Sequence, residues 1–270
     1  MSAHFQIGNH QLEYEWLGPP PAQAPTLVFL HEGLGCAAMW KDFPERVVAA
    51  TGFGALVYSR AGYGSSDPCV LPRPVRFMHD EALITLPAVL DQFEIRGTIL
   101  IGHSDGASIA LIHAGRSEGG GKTQIRGLIL LAPHVFVEDI GIESIRRIRE
   151  DYRRGDLRPR LERYHGANVD VAFNGWNDVW LNPEFRSWNI EEYLPRIKMP
   201  VLLIQGEGDQ YGTVAQLEAI EKGVSGSVQR ILLRGCGHSP HIDQPERTLA
   251  AIKAFAQRLS PAKNSRKSIR

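Results

Sequence analysis

Ser104 stands in the string Gly102-His103-Ser104-Asp105-Gly106, preceded by the apolar run 98–101 and followed by a run at helical spacing, 107–114. A serine at such a strand-to-helix corner takes strained backbone and projects its hydroxyl from the sheet edge, while the glycines let strand and helix crowd together. A serine that only capped the helix would not need a glycine on each side. Because a serine hydroxyl is a weak nucleophile at neutral pH, it requires a base held by an acid. Two later apolar runs end in candidates: "LLIQGEGDQYG" places Asp209 just past one, and "ILLRGCGHSPHIDQPE" places His238 in a glycine-rich loop past the other. His241 lies close to His238, and Glu207, Glu138 and Asp139 are rival acids; the chain order Ser104, Asp209, His238 favours the first set. Acyl transfer also needs donors for a developing oxyanion. "FLHEGLG", 29–35, leaves an apolar run through two glycines, which makes the amides of Gly33 and Asp105 the candidate pair.

Positioning these residues falls to an alternation of short β-rich runs and longer helical stretches, the pattern of a mostly parallel sheet with crossover helices. "FQIGNHQLEYEWLG" predicts a hairpin turning at Gly8-Asn9. "PTLVFLH", "GALVYS", "TILIGHS", "IRGLILLAP", "PVLLIQG" and "SVQRILLRG" predict strands. Helices are expected over 38–52, over 76–94 despite Pro87, after Gly106 up to the glycine cluster at 119–121, over "TVAQLEAIEKGV" and over "PERTLAAIKAFAQRL". The rhythm stops between Pro133 and Pro200. An arginine-rich helical half, "ESIRRIREDYRRGDLRPRLERY", has acidic residues interleaved and reads as a solvated face. A second half carries Trp176, Trp180, Phe185 and Trp188, which either line a substrate pocket or form a small core of their own. The division expected is a core of 1–133 and 200–262, a cap insertion of 134–199 and a disordered tail of 263–270.

The 270 residues carry 30 basic and 30 acidic side chains, so no net field draws in nucleic acid or an anionic membrane, and a small-molecule substrate is expected. Three cysteines without metal-ligand spacing argue against a disulfide framework and against a metal site, and a cytoplasmic location follows as the default. No leader and no long apolar segment is read at the start of the chain or within it. Oligomeric state is open, a homo-oligomer included.

Taken together, "LHEGLG", "YSRAGYGSSDP", "GHSDG", "GEGD" and "GCGHSPH" resemble the oxyanion loop, arginine-glycine turn, nucleophile elbow, acid loop and histidine loop of the α/β-hydrolase superfamily. Glu32 replaces the usual second glycine, which leaves either Gly33 or Leu34 as the donor from this loop, and Ser59 stands where many members carry Asp. The resemblance implies an α/β fold with a mostly parallel twisted sheet, helices on both faces and a helical cap inserted before the penultimate strand. It implies a serine hydrolase without cofactor, cleaving a small carboxylic ester or related acyl bond through Ser104, His238 and Asp209; carbon–carbon, amide and aminoacyl-ester cleavage are alternatives. A ligand receptor of the same fold is the minor one. Asp105 also matches valacyclovirase-like esterases, where the equivalent carboxylate meets a substrate ammonium. Glu32, Asp105, Trp176 and Trp180 are the candidate substrate-binding residues.

Overall fold

The computed structural model describes residues 3–116 and 123–259. The glycine cluster at 119–121 and the tail 263–270 lie outside the described residues. Eight strands form one sheet: β1 (Ala3–Ile7), β2 (His10–Leu17), β3 (Thr26–Leu30), β4 (Gly54–Tyr58), β5 (Gly97–His103), β6 (Gln124–Leu131), β7 (Val201–Gly206) and β8 (Val228–Leu233). Their order is β1-β2-β4-β3-β5-β6-β7-β8. The expected hairpin turns at Gly8, whose φ of +56° suits a residue without a Cβ. β2 pairs antiparallel with β4, and every pairing from β4 to β8 is parallel.

Strand side chains alternate between the two faces, and in the central strands β3 to β7 both faces are buried over most of their length. Leu27 and Phe29 of β3, with Ile99 and Ile101 of β5, pack against α1 (Phe43–Thr51) and, after the last strand, α10 (Pro245–Arg258). Val28, Leu30 and Leu100 point the other way, against a helical stretch before β5 and α4 (Asp105–Ala114) behind it. That stretch is α2 (Phe77–Asp80), a π-helical turn over Glu81–Thr85, and α3 (Leu86–Gln92). The sequence predicts one helix here. Pro87 has no amide for the Leu83 carbonyl, and the wider π turn accommodates that missing bond. The helix expected over 38–52 likewise starts late, after a 3-10 turn (Ala37–Trp40) that ends at Lys41 with φ +52°.

Between β6 and β7 run α5 (Asp139–Arg154), α6 (Leu157–His165) and α7 (Val169–Trp180), followed by two 3-10 turns. The arginines of α5 and α6 lie on a charged outer face: Arg158 meets Asp170 at 2.8 Å, Arg149 meets Asp178 at 2.7 Å and Arg160 meets Asp151 at 3.7 Å. The aromatic residues beyond them divide their labour. All four join the main core, Phe185 stacking on Trp188 at 5.3 Å, and of the four only Trp176 and Trp180 also border the cavity at the carboxyl edge of the sheet. The remaining helices are α8 (Val214–Gly223) and a single turn, α9 (Pro240–Asp243). Among the described residues no helix is long and apolar enough to cross a membrane.

Candidate active site

Ser104 joins β5 to α4 with φ +51° and ψ −117°, the strained geometry expected of a sharp strand-to-helix corner. Its neighbours must be small. A Cβ on Gly106 would sit 2.0 Å from the Leu30 carbonyl oxygen, and one on Gly102 would sit 2.4 Å from the Gly106 oxygen. The Ser104 side chain makes no capping bond to α4, so the hydroxyl is not consumed by the helix it begins.

The same carboxyl edge receives the loops after β7 and β8. A Cβ on Gly206 would lie 2.2 Å from the carbonyl oxygens of both Cys236 and Gly237, so this glycine lets the acid loop and the histidine loop touch. Across that contact His238 Nδ1 meets Asp209 Oδ1 at 2.8 Å. An ionised carboxylate only accepts, so Nδ1 carries a proton, and it is in the neutral ring that Nε2 keeps its lone pair. Asp209 is otherwise satisfied: Oδ1 also accepts from the Tyr211 amide at 2.8 Å, and Oδ2 accepts from Gln205 Nε2 at 3.2 Å. Burial alone would push its carboxyl up, but these donors outweigh that and hold it below the usual range. The rivals go elsewhere. His241 packs on Trp40 with ring centres 4.7 Å apart, the Glu138 carboxylate accepts from Thr213 and Gln216, and Asp139 pairs with Arg186.

Ser104 and His238 border one cavity of about 220 Å³, together with Glu32, Gly33 and Asp105 from the sheet edge and Trp176 and Trp180 from α7. The Ser104 hydroxyl has no hydrogen-bond partner among the described residues, and in unliganded sites such bonds commonly tighten only when substrate arrives.

The backbone around Gly33 is fixed by charge. The Glu32 carbonyl accepts from His31 Nδ1 at 2.8 Å and from Arg60 Nη2 at 3.0 Å, and the His31 carbonyl accepts from Arg60 Nη1 at 2.6 Å. In a planar trans peptide the C=O and the next N–H point in opposite directions, so clamping the Glu32 oxygen on Arg60 turns the Gly33 amide the other way. Asp105 is the first residue of α4, where an amide has no intrahelical acceptor and the helix dipole favours negative charge. Neither amide donates to another group among the described residues. Gly33 itself must lack a side chain, since a Cβ would lie 2.0 Å from Trp176 Nε1.

Two carboxyl groups border the cavity, and they are held differently. Glu32 Oε2 lies 3.3 Å from His103 Nδ1, so its charge is already engaged. Asp105 is fully buried; Oδ1 accepts from Trp180 Nε1 at 3.2 Å, while Oδ2 is buried with no partner, and burial pushes the carboxyl up to about 6. Sequence reasoning missed His134, Ile145 and Tyr211, which also border the cavity. His134 and Tyr211 follow β6 and β7 by a few residues, and that position was their only signal; Ile145 on α5 had none.

With this geometry in hand, a sequence model of the Alpha/beta hydrolase family matches residues 27–251. No curated protein matches the sequence. Among solved structures, an esterase from Exiguobacterium antarcticum superposes with a TM-score of 0.74 at 20% identity, covering 95% of this chain and all (100%) of that one. A thermophilic esterase from Thermogutta terrifontis gives 0.71 at 20% identity, covering 97% and 100%. A proline iminopeptidase from Mycobacterium smegmatis gives 0.68 at 20% identity, covering 96% and 98%. At that identity the likeness is one of fold.

Proposed function

The chain belongs to the alpha/beta hydrolase family, and from that premise we propose that it is a serine hydrolase cleaving a small carboxylic ester through an acyl-enzyme at Ser104. The observation that carries this reading is the 2.8 Å bond between His238 Nδ1 and Asp209, which leaves the opposite ring nitrogen free in the cavity that Ser104 borders. His238 Nε2 takes the Ser104 proton as Oγ attacks the substrate carbonyl, and Asp209 holds the tautomer and faces the imidazolium as it forms. The carbonyl oxygen, now carrying the electron pair, is stabilised by the amides of Gly33 and Asp105. His238 returns the proton to the leaving alcohol; water, activated by the same ring, then releases the acid. A cavity of about 220 Å³ favours short acyl groups.

A second reading, hydrolysis of aminoacyl esters or amides, is favoured by one feature: the partnerless Oδ2 of Asp105, in a cavity bordered by no Lys or Arg among the described residues. A substrate ammonium would supply the missing donor.

Both readings are separated by one panel of short and long acyl esters, thioesters and aminoacyl esters, run on wild type, Ser104→Ala and Asp105→Asn. Turnover is expected on short acyl esters and to be abolished in Ser104→Ala with the fold retained. Loss confined to the aminoacyl substrates in Asp105→Asn would establish the second reading. Tight ligand binding without turnover, indifferent to Ser104→Ala, would instead mark a receptor.

A further inference from the structure

His103, the residue before Ser104, takes no part in the chemistry above, yet it is 1% exposed and bonded at both ring nitrogens. Nε2 meets the backbone carbonyl of His238 at 2.8 Å, and Nδ1 meets Glu32 Oε2 at 3.3 Å. A carbonyl oxygen can only accept. So can an ionised carboxylate, the form that the His103 ring favours in Glu32 against the burial that would otherwise raise it. With Glu32 in that form, both nitrogens of His103 carry protons.

We propose that His103 is a positioning residue: an imidazolium that ties the loop bearing His238 to the side chain of Glu32, and so holds the base and the oxyanion loop as one unit. This rests on the reading of Ser104, His238 and Asp209 as the reacting groups. The chain makes room for the tie, since a Cβ on Gly35 would lie 2.4 Å from Glu32 Oε2; the glycine lets the carboxylate fold back toward His103. The groups facing the His103 ring are few. His238 and His241 lie with ring centres 5.1 and 5.0 Å away, and Asp209 and His134 sit beyond His238. Burial brings His241 and His134 each down to about 3, so both are neutral. Burial also opposes the charge on His103, but Glu32, the His238 carbonyl and Asp209 outweigh it and raise the ring above its ordinary value. The tie thus has one structural requirement, the Glu32 carboxylate, and one mechanical output, the place of the His238 backbone.

The test reads protonation directly. In the full chain labelled with nitrogen-15, histidine ring correlations at pH 7.5, assigned by His103→Gln, should show His103 with both nitrogens in the protonated imidazolium range. Glu32→Gln should convert it to a single tautomer protonated at Nε2. A neutral His103 in the wild type, or one unaffected by Glu32→Gln, overturns the proposal. Kinetics on the best ester add a second readout. His103→Gln keeps an amide donor for the His238 carbonyl, whereas His103→Phe keeps only the ring shape. The phenylalanine variant should lose kcat by on the order of ten- to a hundredfold more than the glutamine variant, with KM little changed. Equal activity of the two overturns it as well. Should His103→Phe fail to fold, the wild-type and Glu32→Gln spectra still decide. A neutral His103 in an active enzyme sinks the tie alone, and absence of turnover on every ester sinks the hydrolase reading whatever the spectrum shows.

Discussion

Asp105, whose amide is an oxyanion donor in the proposed reaction, has its carboxyl buried against Trp180, with one oxygen lacking a partner. The carboxyl is raised from 3.8 to about 6, so between those pH values the folded chain keeps a proton that the unfolded chain releases. Stability from this group is then full below 3.8, falls as pH rises, and reaches its lowest value above about 6. Asp105→Asn should accordingly be more stable than wild type at pH 8, by on the order of 2 kcal/mol, and gain nothing at pH 4. Urea unfolding at the two pH values checks this. A variant less stable than wild type at pH 8 would mean that the ionised carboxylate is well solvated by its surroundings. At this scale the sequence displays Ser104, Asp209 and His238 because each directly follows an apolar run and sits among glycines. It hides the Glu32–His103 contact, which joins positions 71 residues apart and exists only once two loops converge.

The elbow between β5 and α4 works because backbone meets backbone. Gly106 lies so close to the end of β3 that no side chain fits, and the Leu30 carbonyl cannot retreat without disturbing the pairing of Leu30 with Gly102. Gly106→Ala should therefore lower the denaturation midpoint by an amount corresponding to on the order of 1–3 kcal/mol and depress activity with it. An unchanged midpoint, measured by thermal melting, would show that the helix can shift without cost. Strands were the most legible elements, since β3, β4 and β7 are buried along their whole length and read as unbroken apolar runs. Helix interiors were less so. The π turn at Glu81–Thr85 and the break at Lys41 come from Pro87 and from a single positive φ, features that apolar periodicity does not register.

Across the whole molecule, the parallel strands bring the ends of β3, β5, β7 and β8 to one edge, and α7 lays Trp176 and Trp180 over it. Sequence order predicts that convergence but not the identity of the covering residues. The four aromatics of 176–188 were open to two roles; the two on α7, Trp176 and Trp180, border the cavity, whereas Phe185 and Trp188 lie in the turn beyond it. The whole assembly matters only if Ser104 is the nucleophile that it makes, and the most direct measurement is intact mass after exposure to a fluorophosphonate ester. Wild type should take up one phosphonyl group, located on Ser104 by peptide mapping; Ser104→Ala should take up none, and His238→Ala should react far more slowly. A wild-type chain that stays unlabelled, or one labelled equally fast without His238, would contradict the account.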